Sequence, residues 1–347
     1  MNLDASPRRG SDFAELSRSV KQAGLLDRRI GFYVLCLVGG IAALGATITA
    51  MVVVGDSWWQ LALAALLAVV FTQLAFLGHD AGHRQMFATN KVNGAIGLVL
   101  GNLLVGVGFG WWMGKHNRHH ANPNHEDEDP DVDIAVLAFS AEQAQRKRGF
   151  FRWVVKHQAW LFFPLLLLEG FSLHAISIGA AVRREVRGWQ VELVLFAVHV
   201  VAYFGLVFTI MSPGKAIAFI ALHQGLFGVY MGCSFAPNHK GMPVLTAGHQ
   251  LDFLRKQVLT SRNVTGGWFT DFLLGGLNYQ IEHHLFPNMP RPHLRHAQKL
   301  VRDFCHEKSI SYAECGLFRS YGYVLEFLHE AGAELRDTDR LAPSTSK

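Results

Sequence analysis

The chain has 347 residues, half of them hydrophobic, with 17% charged residues, a net charge of +5 and a mean hydropathy of +0.19. Soluble domains average about 25% charged residues, so this composition argues against a water-soluble globular protein and for one that buries surface in lipid. Cys36, Cys233, Cys305 and Cys315 include no CxxC pair, which excludes a disulfide scaffold and a rubredoxin-like iron site, and no Gly-rich dinucleotide fingerprint follows a strand.

Residues 1–29 lack the basic, apolar and small-residue order of a cleaved signal and are expected to stay as a cytoplasmic segment. Ser11 is expected to cap a short helix there, with Phe13, Leu16 and Val20 on one face. Two nearly uncharged runs, 30–54 and 61–78, each approach the roughly 20 residues needed to cross hydrocarbon. A second such pair, 191–211 and 216–237, makes a second hairpin. Arg28 and Arg29 precede the first hairpin and Arg183, Arg184 and Arg187 the second, whereas the two turns carry only Lys215. Cytoplasmic flanks collect Lys and Arg, so both hairpins are predicted to start and end in the cytoplasm.

The apolar stretches 95–114 and 161–182 are also long enough to span, but a single crossing at 95–114 would put histidine clusters on opposite sides. The first is weakened by six glycines and the second interrupted by Pro164, Glu169 and Gly170. Both are predicted to be re-entrant or surface-lying, preferably as amphipathic elements in the interface. Residues 240–335 read as a cytoplasmic helical cap, including a face of Leu294, Ala297, Leu300, Val301 and Phe304, and 336–347 as a disordered tail. The fold class expected is an all-α integral membrane protein: four transmembrane helices in two hairpins, with a helical cap over a histidine-rich metal site.

That site is the strongest signal in the chain. His79 and His83 are four apart in HDAGH; His116, His119 and His120 lie at i, i+3 and i+4 in HNRHH; Gln280, His283 and His284 repeat that spacing in QIEHH. On helices each set shares one face. His239 follows Asn238 at the end of the fourth run. Imidazole is the commonest metal ligand, and one four-coordinate zinc would leave about half of these idle, so a pair of metals is the economical reading. Asp80, Glu282 and Asn238 are candidates to orient ligands from behind. His125, in the acidic loop after HNRHH, reads as exposed, and His174, His199 and His223 as neutral imidazoles bonded to neighbouring helices. His249, Trp268, Asp271 and Asn278 lie on the approach to the third cluster, and Arg262 and Asn263 are placed to touch a headgroup.

The order HDAGH, HNRHH and QIEHHLFPNMPR, with long apolar hairpins between, resembles the membrane fatty acid desaturases over roughly residues 30–300. The glutamine that opens the third box is similar to the front-end group. The resemblance implies a non-haem di-iron centre, two iron ions that use O2 and two electrons to form a carbon–carbon double bond in an acyl chain. By position it implies His79, His83, His116, His119, His120, His283 and His284 as ligands, with His239 in PNHKGM matching an additional histidine. Gln280 stands where related stearoyl desaturases carry a histidine, and is expected to act through water rather than directly. No HPGG motif of a fused cytochrome b5 occurs in these residues, so an external donor such as a ferredoxin or flavoprotein reductase is expected. The basic clusters Arg146, Lys147, Arg148 and Arg255, Lys256 would meet an acidic donor or anionic lipid. The expected substrate is an acyl CoA thioester or acyl lipid, with membrane lipids but no nucleic acid as partners, and the location a bacterial plasma membrane. A di-iron hydroxylase or ketolase is the alternative, and a metal transporter the distant one.

Overall fold

The computed structural model describes residues 11–248 and 250–341. Helix α1 (Asp12–Gln22) precedes a first long pair, α2 (Ile30–Val54) and α3 (Gln60–Gly82). Next come α4 (Asn90–Leu98), a π-helical segment (Val99–Val105) and α5 (Phe109–Ala121), then the short α6 (Ala141–Arg146) and α7 (Gly149–Lys156). The bent pair α8 (Gln158–Leu166) and α9 (Glu169–Val182) leads into the second long pair, α10 (Trp189–Ile210) and α11 (Pro213–His239). Four described helices, α2, α3, α10 and α11, are long and apolar enough to cross a membrane. Their polar turns meet at one end, where Asp56 accepts from the Ser212 backbone N–H at 2.8 Å and pairs with Lys215 at 3.2 Å. Within the bundle α3 and α11 are the inner helices, while α2 and α10 leave most of their apolar surface uncovered, as lipid-facing helices do.

Residues 95–114 are not one straight helix. The helix turns back on itself by 114°, and the π-helical segment inserts between α3 and α10, burying Leu100, Asn102 and Val105. The bend has a local cause. Gly106 takes a left-handed φ of 83°, and a β-carbon there would stand 2.4 Å from the Nε2 of His199, so only glycine fits the corner. Buried Glu192 of α10 then accepts from Asn102 Nδ2 at 3.0 Å and from the Gly110 N–H at 2.9 Å, satisfying backbone that the bend exposes. The pair α8 and α9 bends by 69° and packs its backbone on α11, where a β-carbon at Gly228 would lie 2.4 Å from the Leu166 carbonyl oxygen.

The cap comprises α12 (Phe253–Leu259), β1 (Asn263–Thr265), α13 (Trp268–Leu273), α14 (Gln280–Leu285), α15 (Arg291–Glu307), β2 (Glu314–Gly316), α16 (Leu317–Ala331) and α17 (Ala333–Leu341). The two strands form one parallel pair in an otherwise helical chain. Helix α1 docks here, with Leu16 and Val20 fully buried among Val258, Phe286, Leu294 and Val301. Ser11 makes no capping bond; Asp12 in the first turn pairs with Arg255 instead, at 3.0 Å. Leu294, Ala297, Val301 and Phe304 face inward from α15 as the periodicity predicts, with Leu300 half-buried. The expectation of disorder from residue 336 meets a difference: α17 runs through Leu341. It is anchored by Leu335, buried against Ala138, Ala144 and Val155, and by Arg336, which donates to the carbonyls of His329 and Lys156. Residues 342–347 lie outside the described residues.

Candidate metal centre

The eight histidines come from four places in the chain, and the structure brings them all together. His79 sits in the last turn of α3 and His83 just beyond its end. Helix α5 crosses closely there, since a β-carbon at Gly82 would lie 2.5 Å from the Met113 sulfur. This crossing sets His83 Nε2 2.8 Å from His116 Nε2, and His116 Nε2 3.1 Å from His120 Nε2. Helix α11 ends at His239, and the short, wholly buried α14 supplies His283 and His284. Two groups result: His79, His83, His116 and His283 in one, His119, His239 and His284 in the other, with each group's ligand atoms within 4.8 Å of one another. His120 lies between them, its ring 4.5 Å from that of His116 and stacked 4.2 Å from that of His284.

The tautomers show what the groups are built to hold. His119 Nδ1 faces Asp129 at 2.9 Å and His239 Nδ1 faces the Thr260 carbonyl at 3.0 Å. Both partners only accept, so each Nδ1 donates and each Nε2 is turned inward, that of His239 also 2.8 Å from the Gln280 amide nitrogen. Those two Nε2 atoms lie 3.2 Å apart, close enough for one cation to take a lone pair from each neutral ring. His284 Nδ1 likewise donates to Gln257 Oε1 at 2.9 Å; the Gln257 amide is fixed because its Nε2 donates to the His120 carbonyl. His79 Nδ1 is 3.3 Å from Asp80. The Nε2 atoms of His79, His283 and His284 are buried with no hydrogen-bond partner. Burial pushes His83 down to about 3 and drives His283 and His284 well below the usual imidazole value, keeping the rings neutral, the state in which they bind metal. The residues present therefore fit a pair of metal ions.

Asp129 and Asp131 were invisible as site residues within an acidic loop that reads as solvated. Yet Asp129 is 1% exposed and accepts from the Asn124 and Asp131 N–H groups, each at 2.8 Å, as well as from His119. Burial pushes its carboxyl up, but the hydrogen bond and charge of His119 outweigh this and leave it below its ordinary value. Lys115 pairs with Asp131 at 2.6 Å, and Lys240 donates to the Asp131 carbonyl at 2.8 Å. The available signal was six residues with five acids, EDEDPD, separated from a histidine box by five residues that include a turn at Asn124.

Other candidates sort differently. Gln280 presents its amide nitrogen, not its oxygen, 2.8 Å from His239 Nε2, because Asn238 Nδ2 is 3.3 Å from Gln280 Oε1; Asn238 thus acts on Gln280 rather than on an imidazole. Glu282 turns away from the histidines. It accepts from Tyr312 at 2.8 Å and Asn263 at 2.7 Å, tying α14 to the cap, and burial raises its carboxyl to about 7. Asn263 also accepts from the Ile281 N–H at 2.9 Å. Arg262 is buried, donating to the Pro237 and Lys240 carbonyls and to Ser320, so neither residue reaches a headgroup. Of the basic clusters, Arg255 is engaged with Asp12 and Asp252, and Lys256 with Asn122. His125 joins neither histidine group. His174 and His199 bond to carbonyls of the π-helical segment and His223 to Tyr203, so all three are tied to neighbouring elements rather than to the histidine groups. Asp271 accepts from Asn278 at 2.9 Å at the cap, whereas Trp268 is exposed; His249 lies outside the described residues.

A fold of lipid-facing hairpins that delivers three histidine boxes to one buried centre defines a membrane metalloprotein. The sequence pattern of the fatty acid desaturase family matches residues 56–316, and the chain belongs to that family. It is 30% identical to an acyl-lipid (9-3)-desaturase of Physcomitrium patens over 94% of this chain and 64% of that protein. It is 32% identical to a Delta(6)-fatty-acid desaturase of Caenorhabditis elegans over 78% of this chain and 64% of that protein. A Delta(8)-fatty-acid desaturase of Helianthus annuus is 27% identical over 96% and 75% respectively. The chain thus spans between 64% and 75% of the length of these relatives, and all three come from eukaryotes, which lends no support to a bacterial location.

Proposed function

We propose that the protein is a membrane fatty acid desaturase that holds two irons between its histidine boxes. The overall change is –CH2–CH2– + O2 + 2 e⁻ + 2 H⁺ → –CH=CH– + 2 H2O. Bound iron would supply the activation of O2 that cutting an unactivated C–H bond requires. The observation that carries this reading is the pair of converging imidazole groups with Nε2 lone pairs turned inward. His79, His83, His116 and His283 would hold one ion, and His119, His239 and His284 the other, with His120 between. Asp129, Gln257, Asp80 and the Thr260 carbonyl fix which nitrogen of each ring faces inward. Gln280 offers an amide N–H toward the second group, suited to holding a water or an oxygen ligand rather than to ligation. Burial of seven of the eight histidines beneath α14 and the cap, with His120 half-buried, would limit the access of bulk water.

Arg28, Arg29, Arg183, Arg184 and Arg187 flank the histidine end of the long helices, and the opposite turns carry only Lys215, which supports a cytoplasmic metal face and cytoplasmic termini. Electrons would come from a separate carrier, a ferredoxin or a flavoprotein reductase. The Delta(6) and Delta(8) names of relatives, together with the Gln280 box, favour a double bond inserted toward the carboxyl end of the chain.

The test is fatty acid profiling of a host that expresses the chain, its His283→Ala variant or nothing, with double bonds located by derivatised mass spectrometry. A new unsaturated acid only with the intact chain is the expected result. An oxygenated product would replace desaturation with hydroxylation, and no product from iron-loaded protein with a competent donor would refute the acyl substrate.

A further inference from the structure

Helix α13 turns an aromatic face outward. Trp268, Phe269 and Phe272 are 76%, 59% and 51% exposed, and their i, i+1 and i+4 spacing gathers them on one side of the helix. No charged residue lies between Arg262 and Asp271 in the sequence. The other side is polar and engaged with the cap, where Asp271 accepts from Asn278 at 2.9 Å and lies 3.9 Å from Arg295. An uncharged, exposed aromatic patch of this kind marks a contact surface.

The position of α13 says what covers it. Gln73 of α3 donates to the Phe272 carbonyl at 3.1 Å. A β-carbon at Gly275, which has a φ of 59°, would stand 2.4 Å from the Phe76 ring, so the backbone leaving α13 lies directly on α3. Phe76 and Gln73 precede His79 by three and six residues, about 4.5 and 9 Å further along the helix into the bundle. From Gln73 the same face of α3 continues through the exposed Val69 and Leu66, and Phe272 lines one trough with Val69 and with Gly39 of α2. The aromatic face of α13 is therefore continuous with the lipid-facing surface of the first hairpin. The end of α13 is also closed without water. The carbonyls of Thr270, Asp271 and Phe272 accept from the Leu274, Gly276 and Gly275 N–H groups at 2.9, 2.9 and 3.2 Å, as backbone in contact with lipid requires.

We infer that α13 inserts into the bilayer interface, with Trp268, Phe269 and Phe272 at the boundary between headgroups and acyl chains. The cap is thereby a lipid-binding element in its own right and not a wholly water-exposed lid. Aromatic side chains favour that level of a membrane, and a short element with one apolar and one polar side lies along it. Gln280 follows Leu273 by seven residues, so the third histidine box is tethered to the membrane surface as well as to the rest of the cap. The inference rests on the four long helices crossing a bilayer and not on the desaturase reading.

The test places the photo-crosslinking residue p-benzoylphenylalanine at Phe269 of the full-length protein in phosphatidylcholine nanodiscs, with irradiation and mass spectrometry of the products. A second protein carries it at Trp268, and a third at Asp127, exposed in the acidic loop. Monodisperse elution of each shows that it folds. Adducts with the acyl chains of phosphatidylcholine are expected from the probes at Phe269 and Trp268, and none from the probe at Asp127. Adducts confined to the choline headgroup, or no lipid adduct at either aromatic position, would overturn insertion. Cross-links to a second copy of the chain or to a co-purifying protein, in place of lipid, would overturn it in favour of a protein interface.

Discussion

Asp129→Asn changes one buried atom and tests how the centre is held. All three groups around the Asp129 carboxylate donate to it: His119 Nδ1 at 2.9 Å, the Asn124 N–H at 2.8 Å and the Asp131 N–H at 2.8 Å. An asparagine amide accepts on one side only. If its NH2 faces Asp131, one backbone donor is stranded at a cost of about 1–3 kcal/mol. If it faces His119, the imidazole must accept on Nδ1 and turn a protonated Nε2 toward the metal. Loss of such support behind a ligand lowers metal affinity about 10- to 100-fold, or about 1.4–2.8 kcal/mol. The assay is iron retained against a chelator titration, measured by elemental analysis, alongside thermal unfolding and turnover. Asp127→Asn, two residues away and exposed, is the control and should behave as wild type. An Asp129→Asn protein that holds iron as tightly as wild type and turns over normally would refute the argument that this carboxylate sets the tautomer of His119.

The other predictions concern the ligands and the bend. His283→Ala or His116→Ala should abolish turnover and lower bound iron while membrane insertion persists, measured by elemental analysis and membrane fractionation; retained activity in either would contradict the ligand assignment. Glu192→Ala strands the buried Asn102 amide and the Gly110 N–H, about 1–3 kcal/mol each, so the thermal midpoint should fall and iron should be lost with the displaced α5. Gly106→Val places a branched side chain at φ 83° against His199 and His174. A clear loss of folded protein in the membrane, seen by size-exclusion chromatography, is expected there, and normal yield would show that the corner relaxes. Tyr312→Phe removes one donor to Glu282 and should cost stability with little change in iron content, read by thermal unfolding and elemental analysis.

The long helices and the histidine positions could be read from sequence because both obey helical spacing. Leu294, Ala297, Val301 and Phe304 repeat on one face, and the same period gathers His116, His119 and His120. The path of residues 95–114 could not be read, since composition is the same for a crossing, a surface helix and a bend. Glu192, buried in an otherwise uncharged run, was the available hint that something polar packs against α10. Asp129 escaped notice because charge in a loop normally means water. Glu282 misled for the opposite reason: adjacency to His283 in sequence puts it on another side of α14, toward Tyr312. Helices also ran further than hydrophobicity suggested, so His79 and His239 lie within α3 and α11.

The scatter of the histidines along the chain bears on how the protein matures. The first box leaves the ribosome with α3, but His283 and His284, which complete the two groups, arrive only with α14. Until then the inward Nε2 atoms face no completed centre, so tight iron capture would follow synthesis of the third box and the hairpins would insert without it. Metal ions held by these histidines would tie α3, α5, α11 and α14 together, closing loops of very different length whose entropic cost grows only slowly with length. Iron supply during biogenesis would then decide how much of the newly made chain reaches a locked state, a control on abundance separate from any control on turnover.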